Sequence, residues 1–374
     1  MSKYSFQHTI TPRPNTNDDL LIDVLDGLLS RYLDRVPDAG RVVDLFTSRG
    51  DQIINDHIAF RSIHLESILR IFLHLGFDVR MDPSTGRPFN FEAKKLTAVW
   101  LKHPNPAVPR VFVSQFRFEE GSPKLQAIVN RYMADWQDPI TSLDLNDATA
   151  INTYLHTAQW PTPTHADYIA LQQESEYVSW VLYNKYYLNH FTLSVHELAS
   201  FNFTAELDIV LKNYTDSYKK QQSDSVLQDA CRMMKRKYKK QFFEFNEVLK
   251  SEGFTMNPVG DGVMNISPDE CLLQSSTKSN IISAPFDDGH HDIPGSYVEF
   301  AYRGCPDDVV INAVRHGHVM ADIDASQRRD GFETQNADKI FESTYVGAQE
   351  DSTKGVSAYE ASCQRLSQFL ESLN

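Results

Sequence analysis

The order of apolar patterns along this 374-residue chain predicts an α+β fold in which a β-α-β-β-β module occurs twice, with helical insertions. Two strand-like runs, Asp56-His57-Ile58-Ala59-Phe60-Arg61 and Asn189-His190-Phe191-Thr192-Leu193-Ser194-Val195, stand at the head of the two halves, each with a histidine near its start. A glycine-phenylalanine pair follows a helical stripe in both halves, Gly76-Phe77 and Gly253-Phe254. The repeat is one of element order, with no fixed sequence period.

Leu20, Leu21, Val24, Leu25, Leu28, Leu29 and Tyr32 recur at helical spacing and predict an opening helix before a break at Pro37-Asp38-Ala39-Gly40. Strand-like Ile53 to Ser62 follows. Leu65, Ile68, Leu69, Phe72 and Leu75 then form a helical stripe closed by Gly76, and Phe77 to Met81 resumes as a strand. Two more strands are expected at Leu96 to Lys102 and Arg110 to Phe118, around a loop with Pro104, Pro106 and Pro109. From Ser122 to Lys185 the pattern turns helical and irregular. The strand carrying His190 comes next, then helical material reaching Tyr238, Phe242, Phe245 and Leu249. Gly253 to Met256 is expected to restart a strand, Gly262 to Leu273 to hold more strand residues, and Ser296-Tyr297-Val298-Glu299-Phe300-Ala301-Tyr302 to close the series. These patterns divide the chain into an N-terminal helical segment (1–50), a first βαβββ module (51–121), a helical insert (122–185), a second module with the closure of the site (186–345), and a mobile loop with a last helix (346–374). That last part places a mobile loop over Val346 to Ser357 and a helix over Ala358 to Leu373.

Composition narrows the function classes. Hydrophobic content of 41 % with 23 % charged residues is globular, and 50 acidic against 36 basic residues give a formal charge of −14, unfavourable for a nucleic-acid partner. The one basic cluster, Arg232 to Lys240, reads as the wet face of a helix. No apolar run reaches 18 residues, so no membrane association is expected, and the polar stretch Met1 to Asp19 lacks the character of a targeting peptide. Four widely spaced cysteines form no zinc-like pattern and favour a reducing, cytoplasmic setting. Neither a nucleophile elbow nor a phosphate-cradling glycine loop is evident.

His57, His190 and Glu299 remain as two imidazoles and one carboxylate on separate strands, the facial triad that holds non-haem Fe(II) with three positions open. Side chains two apart on a strand share a face, which puts Ala59 and Arg61 beside His57. The guanidinium of Arg61 matches a carboxylate in bidentate fashion, and small Ala59 leaves room next to the metal. Arg303 shares a face with Glu299 as either a substrate contact or a salt-bridge partner. Each ligand alone has a bland reading, since a single strand histidine is more often structural. A rival cluster, His290-His291-Asp292, is expected in an exposed turn between Gly289 and Pro294; His316-Gly317-His318 is expected at a helix end, and His196 either supports the metal site or begins the next helix.

The segments DHIAFRS, NHFTLSV, GSYVEFAYRG and GFETQNADKIFEST, taken together and in order from about His57 to Tyr345, resemble the 2-oxoadipate dioxygenase/decarboxylase family. The resemblance implies paired βαβββ modules of the vicinal-oxygen-chelate type, Fe(II) as cofactor, and dioxygen with a 2-oxo dicarboxylic acid as co-substrates. It implies conversion of 2-oxoadipate to 2-hydroxyglutarate with loss of carbon dioxide, as in lysine catabolism. The family's metal ligands fall on His57, His190 and Glu299, which are also the catalytic centre, and its substrate arginine falls on Arg61, with the two histidines bordering the substrate. The segment Gly331 to Tyr345 is shorter than the corresponding loop of some members. Two alternatives are the same site acting on another 2-oxo acid or in an extradiol or isomerase reaction, and a non-enzymatic interaction protein on this fold.

Overall fold

The computed structural model describes residues 4–157, 159–258, 262–334 and 355–373. Residues 346–354 of the mobile loop expected over Val346 to Ser357, and most of Gly331 to Tyr345, lie outside the described residues, while 355–357 belong to the last helix, which starts three residues before the expected Ala358.

Helix α1 (Asp18–Arg35) buries Leu21, Val24, Leu25, Leu28, Leu29 and Tyr32 as one stripe, with Asp18 and Asp19 in the first turn where the helix dipole favours negative charge. The expected break at Pro37-Asp38-Ala39-Gly40 is instead the start of a second helix, α2 (Pro37–Ser48), because proline at the first helical position has no backbone donor to lose. Strand β1 (Asn55–Ser62), helix α3 (Glu66–His74), β2 (Asp78–Arg80), β3 (Phe89–Phe91), β4 (Leu96–Lys102) and β5 (Arg110–Phe116) follow. Four helices come next, α4 (Pro123–Met133), α5 (Ala148–His156), α6 (His165–Gln172) and α7 (Glu176–Asn184). Strand β6 (Leu188–Ser194) leads to the long helices α8 (Phe203–Gln221) and α9 (Asp224–Ser251). Then come β7 (Asn265–Ile266), β8 (Leu272–Ser276), the hairpin β9 (Ile281–Phe286) and β10 (Gly289–Pro294), β11 (Tyr297–Arg303), α10 (Asp307–His316) and α11 (Gly355–Glu371).

One sheet runs in the order β2-β4-β5-β1-β6-β11-β8-β7, with β3 on β4. Read outward from its centre, the two halves repeat: β1 pairs parallel with β5 as β6 pairs parallel with β11, and the next two pairings on each side are antiparallel. The halves join through the antiparallel pair β1 and β6. This is the doubled module, and it sets the two histidine strands side by side.

Both faces of the central strands are covered, so every residue of β1, β6 and β11 is buried. Helix α3 covers one half, its Phe72 ring 5.7 Å from Phe60. Helix α9 covers the other, with Phe245 5.1 Å from Phe300. The two glycine-phenylalanine pairs close these helices in the same way. Gly76 and Gly253 take left-handed backbone angles (φ 92° and 81°), and the amides of Phe77 and Phe254 reach back to the carbonyls of Phe72 and Leu249.

Strands β3 and β9 form where none was expected, and two expectations fail. Gly253 to Met256 forms no strand, because after the helix cap only Met256 makes a bridge, to Thr277. His290-His291-Asp292, expected in a turn, belongs to the extended hairpin strand β10, paired with β9. The lesson there is that glycine and proline mark the ends of that strand, Gly289 and Pro294, rather than a loop between them. His316 does end α10, with Gly317 as its left-handed cap. His196 is the middle residue of a short 3-10 turn, Val195–Glu197, and its Nδ1 lies 3.2 Å from the backbone nitrogen of Arg303. No described helix is long and apolar enough to cross a membrane.

Candidate metal centre

Strand register brings the three expected ligands together. Thr192 on β6 lies opposite His57 of β1 on one side and opposite Glu299 of β11 on the other, while His190 sits two residues earlier on the same face of β6. The ligand atoms of His57, His190 and Glu299 all lie within 4.8 Å of one another. His57 Nε2 is 3.4 Å from Glu299 Oε1, and His190 Nε2 is 3.3 Å from Glu299 Oε2. Ligands at right angles around an ion, each about 2.1 Å from it, stand about 3 Å apart. The two imidazole planes meet at 84° with their centroids 5.4 Å apart.

Each ligand is held from behind. Two bulges interrupt the pairing of β1 with β6, one leaving Asp56 as an extra residue before His57, the other leaving Asn189 as an extra residue before His190. The bulge turns each preceding side chain toward its neighbour. Asp56 Oδ2 lies 2.8 Å from His57 Nδ1, and Asn189 Oδ1 lies 3.0 Å from His190 Nδ1. An oxygen acceptor at Nδ1 fixes the proton there and leaves the Nε2 electron pair facing the site, where that of His57 also has Thr192 Oγ1 at 3.1 Å. Gln274 of β8 donates to Glu299 Oε1 at 2.7 Å, and Glu299 Oε2 has no hydrogen-bond partner among the described residues.

Burial dominates the electrostatics. It lowers the proton affinity of both histidines, further for His190, where the neighbouring His57 and Arg61 act in the same direction. It pushes the Glu299 carboxyl up to about 8, partly offset by the Gln274 hydrogen bond. A buried carboxylate with one orphaned oxygen beside two neutral imidazoles is a poor resting state by itself, and a divalent cation supplies the missing charge. Burial would raise the Asp56 carboxyl as well, but the Arg303 and Arg110 charges outweigh it and hold that group well below the usual range.

The triad forms one wall of a cavity also lined by Ala59, Arg61, Phe112, Ser114, Gln274, Phe332 and Glu333, with about 410 Å³ of open space including its mouth. Arg61, expected beside His57, does face this cavity and is 2 % exposed. Its guanidinium carbon lies 5.2 Å from the Tyr177 ring and 5.4 Å from the Trp180 ring, both on α7. Phe332 stands edge-on to His57 at 4.8 Å and packs against Phe112 at 4.8 Å. Arg303 takes the second of its two expected roles: it points away from the cavity into a two-pronged ion pair with Asp56, 2.6 and 2.9 Å.

Asp56, Asn189, Gln274 and Phe332 were not singled out from the sequence. One signal was present: both ligand histidines follow a short side chain with an oxygen acceptor, Asp56-His57 and Asn189-His190. A second group, His165, Asp288 and His291, also brings three ligand atoms within 4.8 Å. It is partly exposed, and its imidazole rings stack face to face at 3.3 Å and 14°, which sets their lone pairs side by side rather than converging.

The family model described as 2-oxoadipate dioxygenase/decarboxylase matches residues 24–309. The chain is 32 % identical over 340 residues to the chloroplastic 2-oxoadipate dioxygenase/decarboxylase of Arabidopsis thaliana, covering 86 % of this chain and 76 % of that protein. Among solved structures it resembles the hydroxyglutarate synthase of Oryza sativa in complex with 2-oxoadipate, with a TM-score of 0.68, 29 % identity, and coverage of 90 % of this chain and 96 % of the other. A glyoxalase superfamily protein of Ralstonia eutropha shares the fold at 19 % identity, with a TM-score of 0.57 over 80 % of this chain and 90 % of the other.

Proposed function

This chain belongs to the 2-oxoadipate dioxygenase/decarboxylase family, and from that premise we propose that it is an Fe(II) enzyme converting 2-oxoadipate and dioxygen to 2-hydroxyglutarate and carbon dioxide. The observation that carries the reading is the convergence of His57, His190 and Glu299 on one wall of the cavity that Arg61 also lines. Neutral nitrogen and carboxylate donors on three strands suit Fe(II), and they leave half of an octahedral shell for substrates.

When bound, Fe(II) supplies the site at which a 2-oxo acid chelates and dioxygen is reduced. The chain's own residues prepare that event. Glu299 gives up its proton when a cation arrives and then balances part of the cation's charge. His57 and His190 present Nε2 because Asp56 and Asn189 hold their Nδ1 protons. Arg61, on the same face of β1, takes the far carboxylate of the substrate. Along a strand it stands about 13 Å from His57 in backbone terms, a span that two side chains and a six-carbon diacid bridge. Phe112 and Phe332 keep water from the reacting carbon.

The overall reaction balances without an external reductant, since the 2-oxo acid loses carbon dioxide and supplies the electrons. The carbon dioxide carries away the substrate's own carboxylate oxygens, and both atoms of dioxygen end in the hydroxy acid, one in the carboxylate formed at the former keto carbon and one in the new hydroxyl. A cytoplasmic setting is part of the same reading, supported by the dispersed cysteines.

The test is product analysis with anaerobically Fe(II)-loaded protein and a panel of 2-oxo acids of different length and charge. Consumption of 2-oxoadipate with one carbon dioxide and one 2-hydroxyglutarate formed per dioxygen supports the assignment. Turnover confined to a monocarboxylic 2-oxo acid, or isomerisation with no dioxygen used, overturns it.

A further inference from the structure

The two bulges that support the histidine ligands are alike in geometry and unlike in charge. Behind His190 stands a neutral amide, Asn189; behind His57 stands a carboxylate, Asp56, which is 4 % exposed. A buried carboxylate needs compensation, and Asp56 has it from Arg303, whose Nε and Nη2 reach Oδ1 and Oδ2 at 2.6 and 2.9 Å. Arg110 approaches Oδ1 at 3.5 Å.

Arg303 has a further hold. Its Nη1 donates to the carbonyls of Arg329 and Gly331 at 2.9 and 2.8 Å, so the guanidinium is shared between Asp56 and the segment that carries Phe332. Between those two, Asp330 is tied down by Arg110 at 2.7 Å and by Lys102. Phe332 then returns to His57, ring to ring at 4.8 Å. A closed circuit results: His57 to Asp56, Asp56 to Arg303, Arg303 to Gly331, and Phe332 back to His57. No such circuit passes through Asn189 in the hydrogen bonds and ion pairs of the described residues.

We propose that Asp56 and Arg303 are a positioning pair that locks the His57 imidazole and seats the Phe332 wall together, so that the metal's hold on His57 and the shape of the cavity depend on one another. Arg303 engages both Asp56 oxygens and so fixes the carboxylate plane in which Oδ2 meets Nδ1. Without Arg303 the carboxylate is free to swing toward Arg110. Without the Asp56 charge Arg303 loses its strongest partner, and the Arg329-to-Phe332 segment keeps its Asp330 ties to Arg110 and Lys102 but loses the anchor nearest Phe332. This inference rests on the metal assignment of the preceding section.

The experiment is Co(II) titration of the metal-free full-length protein against a chromophoric chelator, with the visible absorption of bound Co(II) reporting ligand geometry, for wild type, Asp56→Asn, Arg303→Gln and the double variant. Asp56→Asn is expected to bind Co(II) about 10- to 100-fold more weakly, and Arg303→Gln to weaken it in the same direction. The double variant removes both buried charges at once and protects the fold; it is expected to bind no more weakly than Asp56→Asn alone, because the two residues act through one hydrogen bond. Wild-type affinity in Asp56→Asn, or losses that multiply in the double variant, overturns the proposal. A purely structural role would lower the melting temperature of the metal-free variants without changing Co(II) affinity or its absorption, and that result also overturns it. Failure of the wild type itself to take up Co(II) would instead remove the metal assignment, and this proposal with it.

Discussion

Ala59 lies directly opposite His190 where β1 pairs with β6, on the cavity face between His57 and Arg61. Its methyl group is the floor between the metal ligands and the guanidinium. Ala59→Leu fills that space with about three extra carbon atoms in a tightly packed region, where added volume is not absorbed. The expected outcome is a KM for 2-oxoadipate raised at least about tenfold with metal affinity unchanged, as read by steady-state kinetics and metal titration side by side. A leucine variant with normal KM would place the substrate elsewhere.

Arg61 gives a complementary prediction. Removing one partner of a buried charge-assisted contact costs about 2–5 kcal/mol, a factor of about 30 to several thousand. Arg61→Ala is therefore expected to lose at least about 30-fold in kcat/KM on 2-oxoadipate while retaining the metal. Activity on a 2-oxo acid without the second carboxylate should suffer less. Equal losses on both substrates would show that Arg61 supports the fold rather than recognising the diacid.

Phe332 closes the wall beside His57 and is 4 % exposed. Phe332→Ala should cost about 3–5 kcal/mol of stability at such a buried site and admit water to the reacting carbon. The measurable result is uncoupling: dioxygen consumed in excess of 2-hydroxyglutarate formed. Stoichiometric coupling in this variant would remove Phe332 from that role.

Much of the site was legible in the sequence because strands carry their chemistry in short, regular runs. His57, His190, Glu299 and Arg61 each sit in an alternating apolar stretch, and a period of two predicts which of them share a face. The supporting residues were hidden by the same rule. Adjacent strand side chains ordinarily point apart, so Asp56 beside His57 and Asn189 beside His190 gave no reason to expect contact; only the bulges, which depend on the pairing of two distant strands, bring them together. Gln274 reaches the site from a segment with no distinguishing pattern, and Phe332 from the segment GFETQNADKIFEST, which is marked by resemblance but has no periodicity that would place Phe332 beside His57. Pro37 misled because the residue that ends one helix is also well suited to begin another.

A pH prediction follows from the N-terminal segment. Asp18, 1 % exposed, accepts from the backbone nitrogen of Arg13 at 3.0 Å and from its guanidinium at 2.9 Å. The Arg13 hydrogen bonds outweigh the opposing effect of burial and hold the Asp18 carboxyl well below the usual carboxylate range. A depressed folded-state value means that this stabilisation is complete above the ordinary value of about 4 and is lost as the pH falls below it. Asp18→Asn is expected to cost about 1–3 kcal/mol at pH 7, with the difference from wild type narrowing below about pH 4 in denaturant titrations. A difference that stays constant down to pH 2 would contradict the ion pair.

The central claim is that His57, His190 and Glu299 hold one catalytic Fe(II), and it is tested most directly by anaerobic Fe(II) loading followed by oxygen-electrode measurement with 2-oxoadipate for wild type, His57→Ala, His190→Ala and Glu299→Ala. The account predicts one iron per chain and iron-dependent dioxygen uptake in the wild type, and loss of both in each variant with the fold intact by circular dichroism. Dioxygen uptake at the wild-type rate in any one of the three variants would contradict it.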